Sequence, residues 1–342
     1  MSYSSKPLVF SPALVGLIIL SCLLASACNS GSPSTEGNNT PKIILQPVGA
    51  QLTATGNSAD NIFAYSGTIY LTTYSESSTS VSYYTLAESA PATVIATQRS
   101  LSIPQSLILG SYSVSGNLIV GNSSGNLYLP VSLESNQQQY LLSYTNNGQF
   151  INNLGTYSNE WIMPLDYGYE YNNSIYLNVD NGSGSGGNLC TLAVTQSGTT
   201  GCSNSSILPD WYQGSYVVNQ DNVYFAGESS FMVTNIDSGI PRQIGQNDKQ
   251  LGDAGFYSDF SPQLYNNNLY IVAMNTSGNL ALCSIPLNSG TNQAWNCNNS
   301  ARNIKNVWDE TFTIDQQTGA AIVALQESNG NVQFYQTLLL GQ

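Results

Sequence analysis

A turn-plus-strand motif that returns about every 50 residues constrains this chain more than any other feature of its sequence. Six copies align: Ser66-Gly-Thr-Ile-Tyr-Leu71, Ser115-Gly-Asn-Leu-Ile-Val120, Asn172-Asn-Ser-Ile-Tyr-Leu177, Asp221-Asn-Val-Tyr-Phe225, Asn267-Asn-Leu-Tyr-Ile271 and Gly319-Ala-Ala-Ile-Val-Ala324. Their first branched or Leu positions are Ile69, Leu118, Ile175, Val223, Leu269 and Ile322, with spacings of 49, 57, 48, 46 and 53 residues. Most copies carry a second turn and run: Gly125-Asn-Leu-Tyr-Leu129, Gly187-Asn-Leu-Cys-Thr191, Gly278-Asn-Leu-Ala-Leu282 and Gly330-Asn-Val-Gln-Phe334. A Gly-Asn step supplies the positive φ of a tight hairpin, so each copy holds at least one antiparallel hairpin. Runs upstream, such as Thr311-Phe-Thr-Ile314, and downstream, such as Tyr140-Leu-Leu-Ser-Tyr144, bring the count to four strands.

Four strands in about 50 residues make one blade of a propeller. Residues 42–342 have room for six, so the sequence predicts an all-β, six-bladed β-propeller of four-stranded antiparallel blades. The last copy stops after its third strand, near Leu338-Leu-Leu340, and the orphan run Lys42-Ile-Ile-Leu-Gln46 is expected to supply the missing fourth. An N-terminal strand of this kind clasps the first blade to the last and leaves no open edge between them. A β-sandwich or β-solenoid is the alternative, because regular short strands separated by turns suit those folds too. No stretch reads as a long helix.

The polar positions narrow the function. Charged residues make up only 8% of the chain, and its net charge is −13, with no Lys or Arg between Arg99 and Arg242. Such a chain has no basic stripe to neutralise a phosphate backbone, which excludes nucleic acid as a partner and gives no attraction to an anionic membrane surface. It contains no histidine, and so lacks the commonest general base and the commonest transition-metal ligand. Its serines have no histidine to activate them.

Residues 1–27 read as a signal peptide: one basic residue, Lys6, then the apolar core Ala13-Leu-Val-Gly-Leu-Ile-Ile-Leu20, then small residues Ala25-Ser-Ala27. Cys28 follows directly. The arrangement resembles the bacterial lipobox, which implies a lipid on Cys28 and cleavage before it; Ala25 stands where that motif usually has Leu. Two other outcomes remain open, an ordinary signal-peptidase cut after Ala27 and an uncleaved anchor over 8–24. All three place the body outside the cytoplasm. Residues 28–41 have no side chain suited to a core and read as a flexible tether, so the folded domain is expected over 42–342. Asn29 after the lipidated Cys implies, by the sorting rule of enteric-type bacteria, a lipid-anchored protein of the outer membrane.

With Cys22 in the signal and Cys28 lipidated, Cys190, Cys202, Cys283 and Cys297 remain, an even number in an oxidising compartment. Cys190 and Cys283 both fall in the third strand of a copy, and Cys202 and Cys297 lie where a fourth should run. The repeat therefore pairs Cys190 with Cys202 and Cys283 with Cys297, on blades three and five.

One theme precedes the repeated strands. Glu160-Trp161, Asp210-Trp211 and Trp308-Asp309 lie 14, 12 and 14 residues, counted from the Trp, before the aligned position of their copies. In a propeller these loops lead into the strand that lines the central channel. One reading is a ring of aromatic faces and acids suited to sugars, cations or a partner loop. The other is that each Trp fills a wedge between blades while the acid caps a loop. The stretch 180–188, Asp-Asn-Gly-Ser-Gly-Ser-Gly-Gly-Asn, is rich in oxygen donors but lacks the acid spacing of a calcium loop and is read as a hairpin turn.

Through its Gly-Asn-Leu-Tyr-type hairpins, the region 42–342 resembles propeller-bearing bacterial lipoproteins and secreted propellers, an architecture rather than one family. It lacks the Trp-Asp repeat ending, the paired glycines of kelch blades and the Ala-x-x-x-Gly turns of quinoprotein-like blades. The expected function is a membrane-anchored binding or scaffold module for a protein or glycan partner, with no cofactor. The alternative is a calcium-dependent propeller hydrolase or lactonase that holds the ion on Glu160, Asp210 and Asp309.

Overall fold

The strands of this chain read as nearly continuous apolar runs because both of their faces are buried. In strand 268–274, Leu269, Ile271 and Ala273 pack toward one neighbouring sheet, while Tyr270 and Val272 pack toward the other. The period of two sends alternate side chains to opposite faces, so one short strand serves two interfaces. The computed structural model describes residues 42–53, 59–73, 79–135, 138–158, 168–180, 187–194, 216–226, 230–246, 262–274, 277–304, 307–337 and 339.

Two N-terminal strands come first, β1 (Lys42–Ile43) and β2 (Gln46–Leu52). Blade one is β3 (Ala59–Tyr65), β4 (Thr68–Thr73), β5 (Ser80–Ala87) and β6 (Thr97–Ser102). A four-residue helix, α1 (Gln105–Ile108), leads into blade two. There the innermost strand is split into β7 (Tyr112–Val114) and β8 (Ile119–Val120), both paired with β9 (Leu127–Leu133) and followed by β10 (Gln138–Tyr144) and β11 (Phe150–Ser158). Blade three shows β12 (Gly168–Tyr171), β13 (Ser174–Asp180) and β14 (Gly187–Ala193). Blade four is β15 (Tyr216–Asn219), β16 (Asn222–Ala226), β17 (Phe231–Asn235) and β18 (Pro241–Gln243). Blade five is β19 (Gln263–Tyr265), β20 (Asn268–Met274), β21 (Asn279–Pro286) and β22 (Asn296–Asn303). Blade six is β23 (Val307–Ile314), β24 (Ala321–Glu327) and β25 (Val332–Thr337), completed by β2.

The result is a six-bladed β-propeller of antiparallel sheets. Its described core divides into six clusters, one between each pair of neighbours around the ring. Trp295 is a wedge of this kind: 6% exposed, it packs against Phe231 of blade four with ring centroids 5.5 Å apart. A strip of the channel is lined by residues from all six innermost strands or their immediate flanks.

The ring closes through the N-terminal segment, but with a different stretch from the one expected. Lys42–Ile43 runs parallel to β22 at the outer edge of blade five, and the strand that completes blade six is Gln46–Leu52, antiparallel to β25. Pro47 and Gly49 make that stretch look like a strand breaker. Pro is tolerated on an edge strand, which needs no inward N–H, and Gly49 has φ +63° where the pairing with β25 shifts register. The Gly49 and Ala50 amides donate to the Ala90 and Val94 carbonyls of blade one, so β2 ties blade six to blade one.

Blade two also departs from the aligned copies. Leu127, which follows Gly125-Asn and opens β9, packs toward the preceding blade as Ile69 and Ile175 do, so Leu127 and not Leu118 is their counterpart. Gly125-Asn-Leu-Tyr is the first hairpin of that blade, and Tyr140–Tyr144 lies in its third strand. The split inner strand carries a second turn-like sequence at Ser115-Gly-Asn, which draws the alignment nine residues early.

The disulfide Cys283–Cys297 joins directly opposed residues of β21 and β22, within blade five as expected. Cys190, on β14 of blade three, is also disulfide-bonded. Cys202, like Cys28, lies outside the described residues. The oxygen-rich stretch joins β13 to β14 with Asp180 opposite Gly187, a hairpin as read.

Candidate functional site

The turns between the first and second strands of each blade build one mouth of the channel. Ser66-Gly67, Asn172-Asn173 and Asn266-Asn267 all have positive φ at both residues, the backbone of the two-residue hairpin that matches strand twist. Such tight turns bring the C-terminal ends of the innermost strands together around a cavity of about 480 Å³. Its floor includes Val218 and Leu264, and its walls include Tyr171, Tyr265, Asn219 and Gln316, supplied by blades three to six. Blade two contributes Asn122, which also lines the channel below.

Among the described residues lining this mouth there is one carboxylate, and it is engaged by four donors. Glu170 on β12 is 1% exposed. Its Oε2 accepts from the Ser123 and Ser124 amides at 3.1 and 3.0 Å and from the Ser124 hydroxyl at 2.9 Å, while Tyr128 donates to Oε1 at 3.0 Å. The Tyr128 phenol is pushed up, first by burial and then by the Glu170 charge. Gly121 is required here because any Cβ would overlap Glu170 Oε2. Glu170 is thus a strut between blades two and three.

Tyr169, half-buried at the throat, has its phenol raised by burial, while a side-chain hydrogen bond from Asn122 works the other way. That bond uses the Asn122 amide group. Asn122 lines both the mouth and the channel below, and its Oδ1 is buried without a donor.

A second acidic pair closes the seam between blades six and one on the same face. Asp315, fully buried at the end of β23, accepts from the Gly67 amide at 2.7 Å and from the Gln317 and Thr318 amides at 2.7 and 3.2 Å. Thr318 donates to Glu88 Oε2 at 3.0 Å, whereas Glu88 Oε1 is buried without a donor and neighbours Asp315. Two carboxylates in contact cannot both be charged cheaply. Burial, then the hydrogen bond to Asp315 and its charge, raise Glu88 to about 7. Burial pushes Asp315 up as well, but the donated amides and the Glu88 proton hold it below its ordinary value. Below about pH 7 Glu88 therefore holds a proton, which its hydrogen bond shares with Asp315.

Of the sequence-predicted ring, only the backbone of Trp308 and Asp309 lies within the described residues. Trp308 and Asp309 open β23, at the opposite end of that strand from Asp315 and Gln316. Trp308 is the extra residue of a bulge, since Val307 pairs with Glu327 and Asp309 with Gln326. Glu160, Trp161, Asp210 and Trp211 lie outside the described residues, and with them most of the set considered for calcium. Among the described residues no group of three or more acids or cysteines could hold a metal ion, and no helix is long and apolar enough to cross a membrane.

Glu170, Glu88 and Asp315 escaped the sequence reading. Their signals were present: Glu170 interrupts Tyr169-Glu-Tyr171 just before an Asn-Asn turn, and Asp315 ends the apolar run of β23.

No protein-family profile matches the chain, and no curated protein matches it. Solved structures resemble it in fold. The WD40 domain of Toxoplasma gondii coronin is 10% identical, with 90% of this chain and 89% of that one covered and a TM-score of 0.47. A DUF4221-family protein from Bacteroides vulgatus is 12% identical, covering 87% and 96%, at 0.47. A subtype N10 neuraminidase-like protein of A/little yellow-shouldered bat/Guatemala is 8% identical, covering 88% and 100%, at 0.49. At such identities and scores, function must be argued from this chain's own residues.

Proposed function

We propose that this protein is a binding module of the bacterial cell envelope, held to the outer membrane by a lipid on Cys28, which presents its propeller to a protein or glycan partner. The observation that carries this reading is the channel mouth: a concave, aromatic- and amide-lined cavity of about 480 Å³ whose one carboxylate among the described residues is consumed in holding the fold. A site of this kind can grip a ligand but presents no free acid, base or nucleophile from Glu170. The anchor reading rests on the signal-like residues 1–27, Cys28 and the polar stretch 28–41.

Two measurements on intact cells test it. A diazirine amino acid placed at Asn219 or Gln317, at the mouth, is expected to crosslink a partner that the same group at exposed Ile151 on β11 does not capture. Equal capture from all three positions would overturn the assignment of the binding face. Labelled palmitate is expected in the wild-type chain and absent after Cys28→Ser; label that persists in the variant overturns the anchor.

A further inference from the structure

Resting on that binding reading, we propose that the channel mouth binds an uncharged carbohydrate. Two kinds of residue line the cavity, the partly buried aromatics Tyr171 and Tyr265 and the carboxamide residues Asn219, Gln316 and Asn122. Sugars carry the same division. Their C–H faces stack on aromatic rings, and their hydroxyls both donate and accept, which an amide side chain can answer in both senses.

The charges exclude the main rivals. No Lys or Arg is among the described residues lining the cavity, and the chain carries −13 overall, so an anionic ligand would lose its hydration with no counter-charge in return. Glu170, the one acid among the described residues lining the cavity, already accepts four hydrogen bonds, so among those residues no carboxylate is left to pair with an ammonium group. The volume lies within the range of small-molecule sites. Asn122 Oδ1 adds an independent observation. It is a buried acceptor without a donor at the cavity floor, and a buried acceptor of this kind is stabilised by any hydroxyl that reaches it. That oxygen is out of solvent contact, so the Asn122 side chain must turn for a sugar hydroxyl to supply the donor, with the pyranose ring beside Tyr171 and Tyr265.

The test is titration calorimetry of the full chain in detergent with maltotriose, cellotriose and chitotriose as neutral probes, and with sialyllactose, choline and a neutral tripeptide as rivals. At least one neutral trisaccharide is expected to bind in the micromolar to millimolar range. Tyr265→Ala and Asn122→Leu are each expected to weaken it by about tenfold or more, with Tyr265→Phe retaining most of the affinity because the ring remains. Melting curves establish that each variant is folded. The proposal fails if no neutral trisaccharide binds at millimolar concentration, if folded Tyr265→Ala binds as well as wild type, or if sialyllactose, choline or the peptide is preferred. Crosslinking from Asn219 or Gln317 to a protein partner, with all sugars inert, would discard the carbohydrate and leave the binding module standing.

Discussion

Between blades two and three, Glu170 receives four donated hydrogen bonds, whereas between blades six and one, Glu88 and Asp315 face each other with a single proton between them. Both seams bury carboxylates at the same face of the ring, yet they answer to different variables. Glu170 is surrounded by donors, two backbone amides and two hydroxyls. The seam at the ring closure has donors enough for Asp315 but not for Glu88, so it holds only while Glu88 keeps its proton. A buried acid titrates as its surroundings dictate.

The largest effect should come from breaking the four-donor seam at Glu170. Glu170→Ala leaves the Ser123 and Ser124 amides and the Tyr128 hydroxyl without their acceptor, and is expected to cost about 3–5 kcal/mol in urea unfolding. A loss below about 1 kcal/mol would show that water replaces the carboxylate and that this seam is not a strut.

Next comes the backbone of the closure. At Gly49, with φ +63°, a Cβ would stand 2.6 Å from Leu86 Cδ2 and 2.9 Å from the Val94 carbonyl. Gly49→Ala is expected to destabilise by about 2–3 kcal/mol, against about 1 kcal/mol for Gly67→Ala, where φ is also positive but nothing lies within 4 Å. Equal losses at the two positions would mean that β2 yields to the overlap and that the closure is looser than its hydrogen bonds imply.

The pH dependence separates the seams with the smallest change. Glu88 is raised above its unfolded value, so the native state binds the extra proton and the stability it contributes is full below pH 4.5, falls as pH rises and is gone above about 7. Asp315 is lowered and works in the opposite sense: its contribution is present above pH 3.8 and disappears as pH falls through its folded value. Unfolding free energy is therefore expected to decline by about 1–3 kcal/mol between pH 5 and pH 8, and Glu88→Gln should flatten that decline. A decline unchanged in Glu88→Gln would place the titrating group elsewhere.

Much of this was legible in one dimension. Runs such as Leu269-Tyr-Ile-Val-Ala273 and Ile322-Val-Ala-Leu325 announce strands buried on both faces, and their return every 50 residues or so announces blades. Cys283 and Cys297 could be paired because the repeat puts them in neighbouring strands. The mouth was harder to see. Its residues, Asn122, Tyr171, Asn219, Tyr265 and Gln316, are scattered over five blades and look like ordinary turn chemistry one at a time. Trp-acid pairs at matched offsets stand out in the sequence because tryptophan is rare, whereas asparagine here is everywhere.

The sequence by itself determined the blade count, the strand polarity and the disulfide of blade five, because periodic burial and turn chemistry are local properties that repetition makes unambiguous. The tertiary structure alone decided which N-terminal residues close the ring, where blade two sits in the alignment, and that Glu88 meets Asp315. Those contacts join residues from opposite ends of the chain, Glu88 with Thr318 and Gly67 with Asp315. Whether a carboxylate is a strut or a proton-holder depends on the donors that folding brings around it, and no spacing in the sequence records them.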